Sequence, residues 1–208
     1  VGSEMCIRDR VASVEDITAP VLPGTEITDE MCKYKRNRFT NKGSYGKVYV
    51  IGGCGNYVGA PLLSACAAVS AGAGLTTLCV ADGMIESYRR RVKEITLLTF
   101  PGKTHIEFSE SVAGEICERA DAIVVGPGMG RHADTAKILK YLLENFGGRL
   151  IVDADGINSL SASPNFLEIG RKCDLILTPH VKEYERLAGN DDPREFAKKF
   201  KLNFCLLY

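Results

Sequence analysis

The 208-residue sequence has no net charge and lacks a continuous apolar run that could span a membrane. Its 26 basic and 26 acidic residues balance, so no electrostatic argument favours binding to nucleic acid or to a membrane surface. Residues 48–81 contain no charged side chain, but glycines and a proline interrupt them before the roughly 20 apolar residues of a membrane helix accumulate. Residues 1–10 are too charged for a secretory signal. They fit nothing that follows, and we expect them to be an artefact.

Cysteine patterns that would indicate a disulfide framework or a zinc site are also missing. The eight cysteines include no C-x-x-C pair, and none has a histidine at metal-ligand spacing. Cys66, Cys79 and Cys205 lie within apolar stretches, where cysteine acts as a small buried hydrophobic residue. We therefore expect reduced thiols and a cytoplasmic protein.

The arrangement of apolar segments predicts one α/β domain that begins near Lys42 and continues to Tyr208. Residues 11–41 have no hydrophobic period and contain two prolines, which favours an N-terminal extension or a linker. Beyond them, continuous Val, Ile and Leu strands alternate with helical segments, so we expect a mostly parallel sheet covered by helices on both faces. The expected strands are 47–52, 75–80, 95–100, 122–126, 149–153, 173–178 and 202–208. The expected helices are 60–72, 84–94, 109–119, 132–146, 163–170, 181–188 and 193–200.

The helix expected at 60–72 has clear ends and no polar face. Pro61 suits its first turn and Gly72 its end. Between them the side chains are almost all apolar, which predicts a helix packed on both sides.

Residues 52–61 form the first of four strand-to-helix loops that could carry chemistry. The glycines allow a ligand to approach the backbone, and the helix that follows offers free N–H groups to an anion. The spacing is not that of a dinucleotide-binding loop, since Val58 stands at the third glycine position and no acidic residue follows about 20 positions later. A tight turn needed only for packing is the alternative.

The second and third loops follow the strands expected at 122–126 and 149–153. Gly126-Pro127-Gly128-Met129-Gly130 is a rigid loop with exposed amides that suits a phosphate or a polar substrate edge, or is simply a sharp turn. Asp153-x-Asp155-x-x-Asn158 places two carboxylates at the end of a buried strand, where they require donors, a cation or a ligand. Asp155 could instead cap the following turn.

Thr178-Pro179-His180-x-x-Glu183 is the fourth loop. Pro179 sets the turn, and His180 and Glu183 fall on one face of the helix that starts there. A lone histidine is also a common structural hydrogen-bonding residue, and that alternative stays open for His180. We expect His105 and His132 to be surface or helix-start residues.

Taken in order, these segments resemble the NAD(P)H-hydrate dehydratase family, a branch of the ribokinase-like superfamily, from about Lys42 to Tyr208. The resemblance implies a ribokinase-like three-layer αβα fold. Where the sugar kinases of this fold usually carry asparagine, the chain carries His180. Besides the later three loops, the matching segments are Lys42-Gly43-Ser44-Tyr45-Gly46, Gly59-Ala60, Ala67-Ala68 and Gly72-Ala73-Gly74-Leu75.

The resemblance implies repair of NAD(P)H hydrate. Enzymes of this family use ADP or ATP, with Mg²⁺, to phosphorylate the hydroxyl of the hydrated nicotinamide ring, and eliminate phosphate to restore NAD(P)H. Such a reaction depends on substrate placement and on stabilising the charge of the transferring phosphoryl group. Carried over by motif, the substrate pocket would be lined by Ala60, Gly128 or Gly130, and His180. Asn158, Asp155 and Glu183 would lie near the phosphates and their Mg²⁺, with Glu183 acting through water and no direct protein ligand to the metal.

Two further motifs of the family are not found in the sequence. These are a K-G-x-G-T nucleotide loop and a G-x-G-D segment with the catalytic Asp, both expected beyond Tyr208. We therefore expect a C-terminally truncated domain that is inactive alone, from a protein that forms a homo-oligomer. Some family members carry a preceding epimerase domain, which would make residues 11–41 an interdomain linker. Another ribokinase-like small-molecule kinase, or a catalytically dead nucleotide-sensing domain, are the alternatives.

Overall fold

The structure, a computed structural model, describes residues 39–204. The expected artefact at 1–10, most of the expected linker at 11–41 and the last four residues of the expected final strand lie outside the described residues. So do Cys6, Cys32 and Cys205. The five described cysteines, which are Cys54, Cys66, Cys79, Cys117 and Cys173, are all free thiols. Burial raises the pKa of Cys79, which favours its uncharged form.

Within the described range the strands form one seven-stranded parallel sheet in the order β3-β2-β1-β4-β5-β6-β7. Every neighbouring pair is parallel, as the continuous apolar strands predict. The strands are β1 Lys47–Ile51, β2 Leu75–Ala81, β3 Thr96–Phe100, β4 Ala122–Val125, β5 Arg149–Val152, β6 Asp174–Leu177 and β7 Asn203–Phe204.

Helices connect the strands and cover the sheet. They are α1 Gly59–Ser70, α2 Ile85–Arg89, α3 Glu110–Arg119, α4 Ala133–Asn145, α5 Asp155–Ala162, α6 Val181–Ala188 and α7 Pro193–Phe200. Short 3₁₀ turns add Lys42–Tyr45, Asp82–Met84 and Pro164–Glu168. Helix α1 packs on β1 and β2, whereas α3, α4, α5 and α6 contact one another in series. With right-handed crossovers, this arrangement gives the expected three-layer α/β fold.

The core lies on both faces of the sheet. Val50, Leu78, Val125, Val152 and Leu177 are each fully buried in five different strands. Burial of one such side chain contributes about 1.5–3 kcal/mol to the free energy of unfolding. The strand ends, and with them the loops that follow, are therefore fixed by the best-packed part of the molecule. Of the helices formed by residues 39–204, none has the length and hydropathy to cross a lipid bilayer.

The prediction that the first helix packs on both sides is wrong. In α1, Pro61 and Ala65 are buried, while the side chain of Leu63 is 72% exposed and Cys66 and Ala67 are also exposed. Only the face that meets β1 and β2 is covered, because α1 belongs to an outer layer of the fold. The absence of polar residues therefore marks an exposed apolar face and not a second buried one.

Three helix predictions differ from the structure. The segment expected at 84–94 is a 3₁₀ turn followed by the short α2, and that expected at 163–170 is the 3₁₀ turn Pro164–Glu168. Helix α5 was not predicted, since its sequence contains glycine, asparagine and two serines, which favour turns. It forms because Ile157 and Leu160 become fully buried.

The chain turns sharply after β4, where Gly126 meets the loop that follows β5. The Gly126 N–H donates to the Ile51 carbonyl oxygen at 3.2 Å, and its φ is +120°. A Cβ at this position would lie 1.9 Å from the Asp153 carbonyl oxygen and 2.7 Å from the Gly156 nitrogen. Both contacts are to backbone atoms, so a side chain here forces one strand end to move.

We predict that Gly126→Ala lowers the free energy of unfolding by roughly 3 kcal/mol or more, through the positive φ and the backbone overlap. Gly147→Ala is the matched control, because Gly147 is exposed, lacks a positive φ and has open space at its Cβ position. The control should change stability by less than ~0.5 kcal/mol. The chain has no tryptophan, so urea unfolding is followed by circular dichroism. Equal stability of the two variants would contradict the packing described here.

Candidate functional site

The four loops singled out in the sequence lie at the carboxyl ends of β1, β4, β5 and β6, which are neighbours in the sheet. Strands β1 and β4 pair directly, but the chain leaves them toward opposite edges, β2 and β5. Such a point of reversal in a parallel sheet opens a crevice outside the strand ends, where ligands of α/β proteins bind. The predicted site residues therefore surround the natural binding crevice of this fold.

The first two loops are in direct contact. The Gly53 N–H donates to the Pro127 carbonyl oxygen at 2.9 Å. A Cβ at Gly128 would lie 3.5 Å from the Ala60 Cβ and 2.8 Å from the Tyr57 carbonyl oxygen. Ala60 is exposed in the first turn of α1. The structure thus brings together Ala60 and Gly128, two of the residues predicted to line the substrate pocket.

Asp155 links the second loop to the third. Its carboxylate accepts a hydrogen bond from the Gly130 N–H at 2.8 Å and another from the Asn158 side-chain amide at 3.2 Å. The N-cap of α5 is Ala154, with φ +47° and no side-chain cap. Asp155 therefore does not cap the turn, as one alternative had it, but fixes the glycine loop against α5.

Asp153 joins the third loop to the fourth. Its carboxylate accepts a hydrogen bond from the Thr178 hydroxyl at 2.8 Å, and the Thr178 N–H donates to the Val152 carbonyl oxygen at 3.2 Å. A carboxylate at the end of a buried strand requires donors, and Thr178 supplies one. The carboxylate pair of the sequence motif thus serves two different neighbouring loops.

His180 and Glu183 form the start of α6. The His180 Nδ1 accepts from the Lys182 and Glu183 N–H groups at 3.1 and 3.4 Å, and the Glu183 carboxylate accepts the His180 N–H at 3.0 Å. This reciprocal pair is a capping box. The structural role left open for His180 is therefore present.

The imidazole of His180 is partly exposed to solvent. Because Nδ1 accepts hydrogen bonds, the neutral ring carries its proton on Nε2. Nε2 lies 3.4 Å from the Glu183 carboxylate, and the His180 side chain is 44% exposed whereas that of Glu183 is 8% exposed. His180 thus combines a fixed orientation with a half-exposed ring whose Nε2 lies beside Glu183.

The sequence did not reveal that the two other histidines stack on each other. His132 is exposed and is the N-cap residue of α4, as expected of a surface or helix-start residue, and its ring stacks on that of His105 with 4.1 Å between centroids. A Cβ at Gly130 would lie 2.9 Å from the His132 Nε2, so His132 covers the end of the second loop. The two histidines are 27 positions apart, and no local pattern could have paired them.

Tyr88 is a second residue that the sequence did not reveal. Its side chain is fully buried, its hydroxyl has no hydrogen-bond partner among the described residues, and it lies against Gly53. Burial raises the pKa of Tyr88 to about 12, so the hydroxyl stays protonated. The Tyr88 side chain therefore packs against the first loop at Gly53.

The described residues contain no cluster of three His, Cys, Asp or Glu side chains that could hold a metal ion. The buried amide oxygen of Asn158 does, however, lack a hydrogen-bond partner in this part of the chain. An oxygen of this kind suits Mg²⁺ or its water shell. Asn158 is therefore a residue of the site that could contact a metal ion or its bound water.

The chain is similar to proteins of one known family. The model of the NAD(P)H-hydrate dehydratase family matches residues 48–203. A bifunctional NAD(P)H-hydrate repair enzyme of Methanopyrus kandleri is 33% identical over 169 residues, which are 81% of this chain and 31% of that protein. An ADP-dependent (S)-NAD(P)H-hydrate dehydratase of Staphylococcus aureus is 33% identical over 157 residues, which are 74% of this chain and 53% of that protein. The chain thus spans about a third to a half of these relatives.

Solved structures confirm the fold. A ribokinase-like superfamily protein from Enterococcus faecalis V583 superposes with a TM-score of 0.70 at 26% identity, over 84% of this chain and 61% of that one. An ADP/ATP-dependent NAD(P)H-hydrate dehydratase from Bacillus subtilis, co-crystallised with ATP and Mg²⁺, gives a TM-score of 0.66 at 21% identity, over 84% and 62%. The resemblance noted in the sequence is confirmed, and the chain belongs to the NAD(P)H-hydrate dehydratase family.

Proposed function

We propose that this chain forms the substrate-binding part of an enzyme that dehydrates NAD(P)H hydrate to NAD(P)H with ADP or ATP as the phosphoryl donor. The observation that carries the proposal is the meeting of Ala60 with Gly128 at the crevice between β1 and β4, within the range that matches the family. A small residue and a glycine let the two loops approach each other closely and leave bare backbone at the edge of the crevice, which a substrate ring can contact. We assign that place to the hydrated nicotinamide ring.

His180 supplies a donor to that ring. We assign to its Nε2–H, which lies beside the Glu183 carboxylate, a hydrogen bond to a polar group of the hydrated nicotinamide, while the two amides on Nδ1 hold the imidazole in place. A donor fixed before the substrate binds costs little reorganisation when it forms its hydrogen bond. We assign binding and orientation, not proton transfer, to His180.

Asn158, Asp155 and Glu183 lie on the side of the phosphates in this proposal. The unpartnered Asn158 oxygen would face Mg²⁺ or its water shell, and the metal would supply positive charge to the phosphates of the donor. Asp155 orients the Asn158 amide, and Glu183 acts through water because its carboxylate already accepts the His180 N–H. The fit supports Mg²⁺ with ADP or ATP as the cofactor set.

The function is tested by repair of NADH hydrate with the full-length protein. The hydrate is mixed with Mg²⁺ and either ADP or ATP, and the absorbance of the reduced nicotinamide is followed. We expect recovery that requires a nucleotide, and the more effective nucleotide identifies the donor. No recovery with either nucleotide, from a protein that is folded by circular dichroism, would favour a ribokinase-like kinase of another substrate.

We predict that His180→Ala and His180→Asn separate the two roles of His180. The alanine variant loses the helix cap, at a cost of about 1 kcal/mol, and loses the imidazole donor. Asparagine is a good N-cap residue, so His180→Asn should keep the thermal midpoint of the wild type. Both variants should raise KM for the hydrate about ten-fold, the effect of one lost hydrogen bond of this kind. A wild-type KM in His180→Asn would show that the imidazole only caps α6.

A further inference from the structure

A cleft of about 520 Å³ lies beside the site, between α4, α5 and α6. Its walls come from the first turn of α4, from α5 and from the last turn of α6. The volume falls in the range of small-molecule sites, about 300–1,000 Å³. None of the predicted substrate residues Ala60, Gly128 and His180 lines this cleft, whereas Asn158, which we place on the side of the phosphates, does.

The lining of the cleft is positively charged. Arg131 and Arg186 stand in it and no acidic residue does. Neither arginine forms an ion pair with any other residue in the described part of the chain, although four other ion pairs between Lys or Arg and an acidic side chain form there. Arginine offers a fork of N–H donors that matches the oxygens of phosphate. Two unpaired arginines facing one cavity therefore indicate an anion.

The other polar groups of the cleft agree with an anion as the occupant. The Ser159 and Ser161 hydroxyls donate to carbonyl oxygens within α5, so the arginines are left as the main side-chain donors. His132 caps the 13-residue helix α4 without a side-chain hydrogen bond, so free N–H groups and the positive dipole end of α4 reach the same cavity. These features add to the arginine pair and do not carry the argument alone.

Two residues adjoin both the cleft and the loops of the crevice. Arg131 follows Gly130 directly in the chain, and Asn158 belongs to the lining of the cleft and to the Asp155 network. Dinucleotide substrates and nucleotide donors both carry phosphates at some distance from their rings, so a ligand of either kind bound at the crevice is long enough to extend past Asn158.

We propose that the cleft is a phosphate subsite, in which Arg131 and Arg186 bind phosphate oxygens of a nucleotide ligand. This proposal rests on the proposed function for the identity of the ligand. The phosphates come from the dinucleotide substrate or from the ADP or ATP donor, and the two sources share the same recognition chemistry.

The test measures equilibrium binding of NADH, NADPH and ADP to the full-length protein by titration calorimetry at low salt, where screening is weak. The variants are Arg131→Gln, Arg186→Gln and the double variant. Arg149→Gln is the matched control, because Arg149 is also exposed but begins β5 and so lies at the amino ends of the strands, away from the loops of the site. Both cleft arginines are exposed, and thermal unfolding by circular dichroism checks each fold. If the double variant unfolds early, the single variants carry the test.

We expect the double variant to bind at least one of the three ligands about ten-fold more weakly or worse, the effect of one or more lost charge-assisted hydrogen bonds, while Arg149→Gln binds as the wild type does. Weaker binding of both NADH and NADPH assigns the cleft to the diphosphate of the dinucleotide substrate. Weaker binding of NADPH alone assigns it to the 2′-phosphate of NADPH. Weaker binding of ADP alone assigns it to the phosphates of the donor. Unchanged affinity for all three, or no binding of any of them by the wild type, would overturn the subsite.

The result is independent of the repair reaction. A wild-type protein that fails to repair NADH hydrate, yet loses nucleotide affinity in the double variant, would leave the phosphate subsite standing and refute the proposed function. A wild-type protein that repairs the hydrate, with a double variant that binds all three ligands normally, would support the proposed function and refute the phosphate subsite.

Discussion

The parallel pairing of β1 with β4 is the constraint on which the rest of this structure depends. Residues 48–51 pair with residues 122–125, and the chain then diverges toward β2 on one side and β5 on the other. Because the loop after β1 and the loop after β4 lead away from each other, neither loop covers the crevice between the two strand ends. Both loops line that crevice instead. Glycines in both loops allow the backbones to touch, as the Gly53 to Pro127 hydrogen bond shows. The binding site is thus a consequence of strand order.

Carboxylates at the strand ends join the remaining loops to this crevice. Asp155 holds Gly130 and Asn158, and Asp153 holds Thr178. A hydrogen bond to a charged group contributes about 1.5–3 kcal/mol, enough to keep a loop in one conformation before a ligand arrives. The orphaned oxygen of Asn158 is the exception. A buried polar atom without a hydrogen-bond partner is expected in a site where the ligand supplies that partner.

The strands, their order along the chain and the four loops could be predicted from the sequence, because buried parallel strands and glycine-rich turns leave local signals. Family motifs pointed to Ala60, Gly128 and His180, and their roles in substrate binding stay predictions. What the sequence could not reveal depends on contacts between distant segments. The stacking of His105 on His132 and the lining of one cleft by both Arg131 and Arg186 are of this kind. Helix α5 was missed because burial of its apolar residues overrides poor intrinsic helix propensity.

The central claim is that the hydrated nicotinamide lies at the crevice between β1 and β4. The most direct test is a crystal structure of the full-length protein with NADH hydrate and without a phosphoryl donor. Density for the ring against Ala60 and Gly128, with its polar edge toward the His180 Nε2, is the result that we predict. A fully occupied ligand whose nicotinamide ring lies elsewhere on the protein, and not in the crevice, would contradict the account.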